Sequence, residues 1–266
     1  MSDAATVHLR HEHRTGGAVA FVTIDNPGKA NVLNAALMER FVRIFADLAT
    51  DGALRAVVLS GAGGRTFVGG ADVVEMAALS GPDAARAFIG RVHACCLAVR
   101  DLPVPVIARI EGHALGAGLE LAAACDLRLA GEGAVFGMPE VRLGIPSVVE
   151  AALLPMLVGW GRAREMLLLG ETFDAPAALR MGLVGDVVPA AGLDAAVESR
   201  IAAILACGPR AIRLQKSLIR RWEDVPLKAA VAAGVDAFAE AYRSDEPASA
   251  MAAWLAAREA RRSSMA

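Results

Sequence analysis

Hydrophobic positions change their period along the chain. Residues 18–24, Ala-Val-Ala-Phe-Val-Thr-Ile, form a nearly continuous apolar run closed by Asp25-Asn26-Pro27-Gly28, which predicts a buried strand and a turn. Beyond it Leu37, Phe41, Ile44, Phe45 and Leu48 recur at helical spacing and predict one apolar stripe, with Asn34 placed to cap the helix. Residues 55–60 predict a second buried strand running into Gly61-Ala62-Gly63-Gly64, and residues 66–72 read as a further glycine loop. A helix is expected over 82–100 and a strand over 103–108, where proline is tolerated at the first residues. A small-residue helix ending at Cys125 follows, then short strands over 126–130 and 134–136. From about residue 147 the pattern is helical apart from a strand over 183–188, and amphipathic helices carrying Trp222, Phe238, Tyr242 and Trp254 close the chain. The expectation is a mixed α/β core over residues 1–200 and a helical region over 201–266.

Composition narrows the function classes. The 266 residues hold 27 Lys+Arg against 29 Asp+Glu, a net charge of -2, so the basic excess that nucleic-acid binding needs is absent. The hydrophobic share is 55% and the mean hydropathy +0.45, an apolar excess that reads as surface buried between subunits. No membrane span is expected: the apolar run 145–160 contains Pro146, Glu150 and Pro155, and the run 114–125 carries Glu120. The first residues lack a basic patch followed by an apolar stretch, so no secretory signal is read. Cys95, Cys96, Cys125 and Cys207 all lie in apolar surroundings and read as buried thiols. The expected location is cytoplasmic, with no membrane partner.

Phosphate-loop, dinucleotide, nucleophile-elbow and zinc-helix motifs are all missing. His11-Glu12-His13 sits in a polar segment and reads as solvated side chains on an edge turn, and no metal site is expected. Three stretches are richer in chemistry. Gly116-Ala117-Gly118-Leu119-Glu120 puts uncovered backbone N–H groups at a loop-to-helix junction with a carboxylate in the first turn. Gly69-Gly70-Ala71-Asp72 offers a second set of donors, and Met138-Pro139-Glu140 strands a carboxylate among apolar neighbours, where desolvation would raise its pKa. Each has a plain alternative taken singly: tight helix packing, an Asp72 helix cap, a surface glutamate. Together, two backbone donors from different loops and two carboxylates fit enolate formation at an acyl carbonyl.

At these residues the sequence resembles the crotonase superfamily, the enoyl-CoA hydratase/isomerase family. The likeness starts at Asn26-Pro27-Gly28-Lys29-Ala30-Asn31-Val32-Leu33-Asn34. It continues through Phe67-Val68-Gly69-Gly70-Ala71-Asp72, Gly112-His113-Ala114-Leu115-Gly116-Ala117-Gly118-Leu119-Glu120, Phe136-Gly137-Met138-Pro139-Glu140 and Gly144-Ile145-Pro146, to Gly182-Leu183-Val184 and Val188-Pro189. The resemblance implies a crotonase-like spiral of ββα units with a C-terminal helical region that mediates trimers, themselves paired into hexamers. It implies an oxyanion hole at the Ala71 and Ala117 N–H groups and an acid/base pair at Glu120 and Glu140. Glu120 would hold the water and Glu140 would supply the proton to C2 of a trans-2-enoyl-CoA. Lys29, Ala30, Val68, Gly70, Asp72 and Gly116 fall on positions that contact the CoA thioester. No cofactor is implied, since coenzyme A enters as part of the substrate.

Three departures stand out. Ala117 replaces a frequent glycine without removing the N–H, and Val73-Val74 stand where a basic residue often follows the Ala-Asp pair. After Ile145-Pro146, the family's glycine-rich turn is replaced by Ser147-Val148-Val149-Glu150-Ala151-Ala152-Leu153-Leu154, in which Glu150 reads as a helix-surface or interface acid, the alternative being a third carboxylate that enters the site. Trp160 and Met138 read as core packing, the alternative being the acyl-tail pocket, and Arg258, Arg261 and Arg262 as a solvated helix end, the alternative being a neighbour's CoA phosphates. The leading activity is hydration. Alternatives are Δ3,Δ2-enoyl-CoA isomerisation, which needs only one base, other acyl-CoA lyase or hydrolase chemistry, and a non-catalytic acyl-CoA-binding protein.

Overall fold

The computed structural model describes residues 5–263. An antiparallel pair, β1 (Thr6–Arg14) and β2 (Gly17–Asp25), leads into α1 (Ala35–Ala49). The apolar stripe of α1 is buried as its spacing predicts, and Asn34 Oδ1 accepts from the Leu37 N–H at 2.8 Å. Such a cap contributes about 1 kcal/mol. Then come β3 (Leu54–Gly61), β4 (Thr66–Val68), α2 (Val73–Ala77) and α3 (Gly81–Asp101). The next turns of the spiral are β5 (Val106–Ile110), β6 (His113–Leu115) and α4 (Ala117–Ala124), followed by β7 (Leu127–Gly131) and β8 (Val135–Gly137). Two 3-10 turns, Pro139–Leu143 and Val149–Leu153, precede α5 (Leu154–Leu169). The chain continues through β9 (Thr172–Asp174), α6 (Ala175–Met181), β10 (Asp186–Val188) and α7 (Leu193–Leu205). It closes with α8 (Pro209–Asp224), α9 (Leu227–Ala241) and α10 (Glu246–Ser263).

From β3 to β8 successive strands alternate between two sheets. One has the order β1-β2-β3-β5-β7-β10 and the other β4-β6-β8-β9, so each of the pairs β3–β4, β5–β6 and β7–β8 sends its second strand across to the other layer. A helix or helical turn then returns the chain, which is the ββα spiral. Inner strands are parallel and covered on both faces, hence the apolar runs 56–59 of β3 and 106–108 of β5. Phe41, Phe45, Phe67 and Phe136 fill the core beside Leu37, Leu54 and Leu59.

Several expectations need correction. Residues around His11-Glu12-His13 form an edge strand rather than a turn. Its charges, with Glu12 bonded to Arg14 and Arg14 to Glu198, mark an edge kept polar against further pairing. The sequence pattern predicts a loop at β4 and helix at β9, but both are strands; three residues are too few to show alternation. Cys207 is exposed, unlike the other cysteines. Trp160 is not core: it is 66% exposed, with the Arg164 guanidinium over its ring, whereas Met138 is fully buried.

The chain divides into two compact units at Ala202/Ala203. In the second, Glu246 accepts from the Arg210 and Ala211 N–H groups, closing the start of α8, and the Trp222 indole donates to the Ala230 carbonyl at 2.9 Å. Leu227, Val231, Val235, Phe238 and Tyr242 make an exposed apolar face on α9 and its C-terminal cap. Arg258, Arg261 and Arg262 are exposed on α10.

Candidate active site

β4, β6 and β8 lie side by side and parallel, so the chain leaves all three at the same end. Crevices at the carboxyl ends of parallel strands are where α/β folds place ligands. The three stretches singled out in the sequence emerge there: residues 69–72 after β4, 116–117 after β6, and 138–140 after β8. Gly70, Ala71, Gly116, Ala117, Glu120 and Glu140 line one cavity of about 610 Å³, together with apolar side chains from α2 and α3 such as Val73, Met76 and Phe88.

The backbone donors follow from the local path. Leu33 bridges Ala71 by donating to the Gly70 carbonyl at 2.8 Å and accepting from the Asp72 N–H at 2.9 Å. That pattern turns the Ala71 N–H away from Leu33. Ala117 opens α4, where a first-turn N–H has no intrahelical partner. Neither N–H is taken up by another group among the described residues. Gly116 enables the second donor with a backbone at φ +51°, ψ -123°, and a Cβ there would lie 2.4 Å from Glu140 Oε1. Gly118 is needed for packing: a Cβ would meet the Val68 carbonyl at 2.0 Å.

The carboxylates differ in surroundings. Glu120 is 3% exposed, and the backbone N–H groups of Ala151 and Val148 bond to its carboxyl. Burial first, then the charge of Glu140 and that of Glu150, outweigh those bonds and push its pKa up to about 8. Glu140 is half-buried on the first 3-10 turn and accepts from the Ser147 hydroxyl at 2.7 Å. The residue that burial singles out is therefore Glu120, where sequence reasoning had placed that effect on Glu140.

Lys29, Ala30, Val68 and Asp72 do not line the cavity. Val68 is fully buried beneath Gly118. Asp72 caps α2, accepting from the Val74 N–H at 2.9 Å, and reaches Lys29 Nζ at 3.4 Å. Burial opposes its ionisation, but the Val74 and Glu75 N–H groups and the Lys29 ammonium prevail and hold its pKa below the usual carboxylate range. Ala30 accepts from the Gly69 N–H at 2.9 Å, so the 26–33 turn buttresses the donor loop. Asn31 fastens that turn, bonding the Ala62 and Thr66 carbonyls and accepting from the Asn26 N–H.

Glu150 is not a surface acid. It is 2% exposed and sits 2.9 Å from His93 Nδ1 and 3.7 Å from Arg100. Sequence reasoning named neither Ser147 nor these two α3 residues as site residues. Their seven-residue separation, which puts both on one helix face, was the available signal.

The family description enoyl-CoA hydratase/isomerase matches residues 14–262. The chain belongs to the enoyl-CoA hydratase/isomerase family. A short-chain-enoyl-CoA hydratase of Clostridium acetobutylicum is 34% identical over 244 residues, covering 91% of this chain and 93% of the relative. A crotonyl-CoA hydratase of Syntrophomonas wolfei is 33% identical over 243 residues, with the same coverage of 91% and 93%. The crystal structure of an enoyl-CoA hydratase from Mycobacterium smegmatis superposes with a TM-score of 0.88 at 31% identity, covering 93% of this chain and 95% of that one. The crotonase-type spiral is thus shared with this family over nearly the whole chain.

Proposed function

We propose that the protein is an enoyl-CoA hydratase that adds water across the C2–C3 double bond of a trans-2-enoyl-CoA. One observation carries this reading: two carboxylates and two unused backbone donors, delivered by different strand ends, border a single cavity. The Ala71 and Ala117 N–H groups would receive the thioester oxygen as the enolate forms, each contributing about 3 kcal/mol in the transition state. Glu120 would hold the water and take its proton as oxygen bonds to C3. Glu140 would give a proton to C2, so that the pair as a whole keeps its single proton. Burial favours that proton on Glu120, and a water bridging the carboxyls would be its path to Glu140. This chemistry calls for no metal or redox cofactor; coenzyme A is carried by the substrate.

The presence of both carboxylates on one cavity favours hydration over isomerisation, which needs one base, and over a silent acyl-CoA-binding role. The relatives named as hydratases support the same choice. The apolar face of α9 supports assembly into homotrimers or hexamers. A cytoplasmic location is part of this reading; among the described residues no helix is long and apolar enough to cross a membrane. The test is loss of the conjugated enoyl-thioester absorbance over trans-2-enoyl-CoAs of increasing length. Hydration by the wild type that collapses in Glu120→Ala and Glu140→Gln supports the reading. A folded, acyl-CoA-binding protein that hydrates none of them overturns it, and 3-enoyl-CoAs then test isomerisation.

A further inference from the structure

The segment that follows Ile145-Pro146 has its own architecture. Val148 is extended, and Val149 has φ +41°, a left-handed conformation that a β-branched residue adopts only under strain. Strain of this kind persists only where surrounding contacts over-determine it. Here those contacts are visible. Glu150, next in the chain, is buried and held by His93 and Arg100, both from α3. The same turn supplies the Val148 and Ala151 N–H groups that bond to Glu120, and the Ala151 N–H also reaches the Val148 carbonyl at 2.9 Å. The 3-10 turn Val149–Leu153 packs on both α3 and α4.

We propose that Glu150, gripped by His93 and Arg100, is a positioning residue that keeps this strained turn in the conformation whose N–H groups aim the Glu120 carboxyl at the reacting water. Glu150 does not line the cavity. It acts through two routes. Mechanically it ties the turn to α3, and electrically its negative charge opposes ionisation of Glu120. The charged and titratable groups facing Glu120 are Glu140 from the first 3-10 turn, Glu150 from the second and the Cys96 thiol of α3. His93 and Arg100 face Glu150. The contacts of His93 and Arg100 with buried Glu150 hold the turn in one conformation, where a loose turn would leave the Glu120 carboxyl unaimed.

The kinetic half of this inference rests on the hydratase reading, so the experiment pairs kinetics with a readout that needs no turnover. Protein labelled with 13C at the glutamate carboxyls is titrated, the Glu120 resonance being assigned by its loss in Glu120→Gln. In Glu150→Gln, which keeps the shape and removes the charge, the Glu120 midpoint is expected to fall by about one unit. In Glu150→Ala kcat is expected to drop about 10²-fold with KM near that of the wild type, because the thioester site is untouched. His93→Ala, at a half-exposed position, should show a smaller loss in the same direction and covers the case in which Glu150→Ala does not fold. A wild-type midpoint in Glu150→Gln, with wild-type kcat in Glu150→Gln and His93→Ala and only the melting temperature changed, would overturn the proposal. If the wild type hydrates no enoyl-CoA yet the midpoint moves, the clamp stands and the hydratase reading fails.

Discussion

The two walls of the cavity are built by different means. The donor wall comes from the ends of β4 and β6, two parallel strands, and the groups it offers are the main-chain N–H groups of Ala71 and Ala117. The carboxylate wall comes from Glu120 on α4 and from two irregular 3-10 turns, one carrying Glu140 and the other bracing Glu120. Main-chain donors are secured by the path of the chain, so side-chain substitutions leave them in place. Carboxylates can be removed one at a time, and their protonation depends on everything buried near them.

Predictions follow that difference in order of size. Removing either carboxyl should hurt most: Glu140→Gln and Glu120→Ala are each expected to lower kcat about 10²–10⁴-fold in the hydration assay. The donor wall should yield only to a change of backbone path. Gly116→Ala places a Cβ 2.4 Å from Glu140 Oε1 at a positive φ, so it displaces both walls and should cost about 10²-fold in kcat. Ser147→Ala removes one hydrogen bond to Glu140 and leaves the donors alone; a kcat loss of about 10-fold is expected. A comparable loss from substitutions confined to the α2 surface would erase the distinction between the walls.

Protonation sharpens the comparison further. Glu120 titrates near 8 in the fold against an ordinary 4.5, so the folded state holds its proton more tightly than the unfolded chain. That proton stabilises the fold fully below about 4.5, and the contribution is lost as the pH rises through about 8. The melting temperature of Glu120→Gln relative to wild type should therefore climb between pH 5 and about pH 8.5, measured by circular dichroism. Over the same range kcat/KM should decline above about pH 8, where the pair loses its last proton and has none to give to C2.

The same contrast explains what could be read from the sequence. The α1 stripe, the Asn34 cap and the strands β2, β3 and β5 are legible because burial imposes a period on their residues. The donor loops are legible because they require glycine at Gly70 and Gly116, and both carboxylates stand out through their neighbours. The brace behind Glu120 was not legible. Glu150 occupies a helical-looking run, and nothing local announces a positive φ at Val149 or a partner more than fifty residues away in His93. Nor does Glu140 carry any local mark of Ser147, which reaches it across a turn ended by the left-handed Gly144. Short strands such as β4 and β9 escape because pairing with neighbours, rather than their own pattern, defines them.

The central claim is that this cavity adds water, with oxygen going to C3 and a proton to C2. Incubating the protein with a trans-2-enoyl-CoA in 18O-enriched D2O and analysing the product by mass spectrometry tests it most directly. The account predicts a 3-hydroxyacyl-CoA carrying 18O at C3 and one deuterium at C2, formed by the wild type and lost with either carboxylate. A product with deuterium but no 18O, or one formed equally well without Glu120, would contradict it.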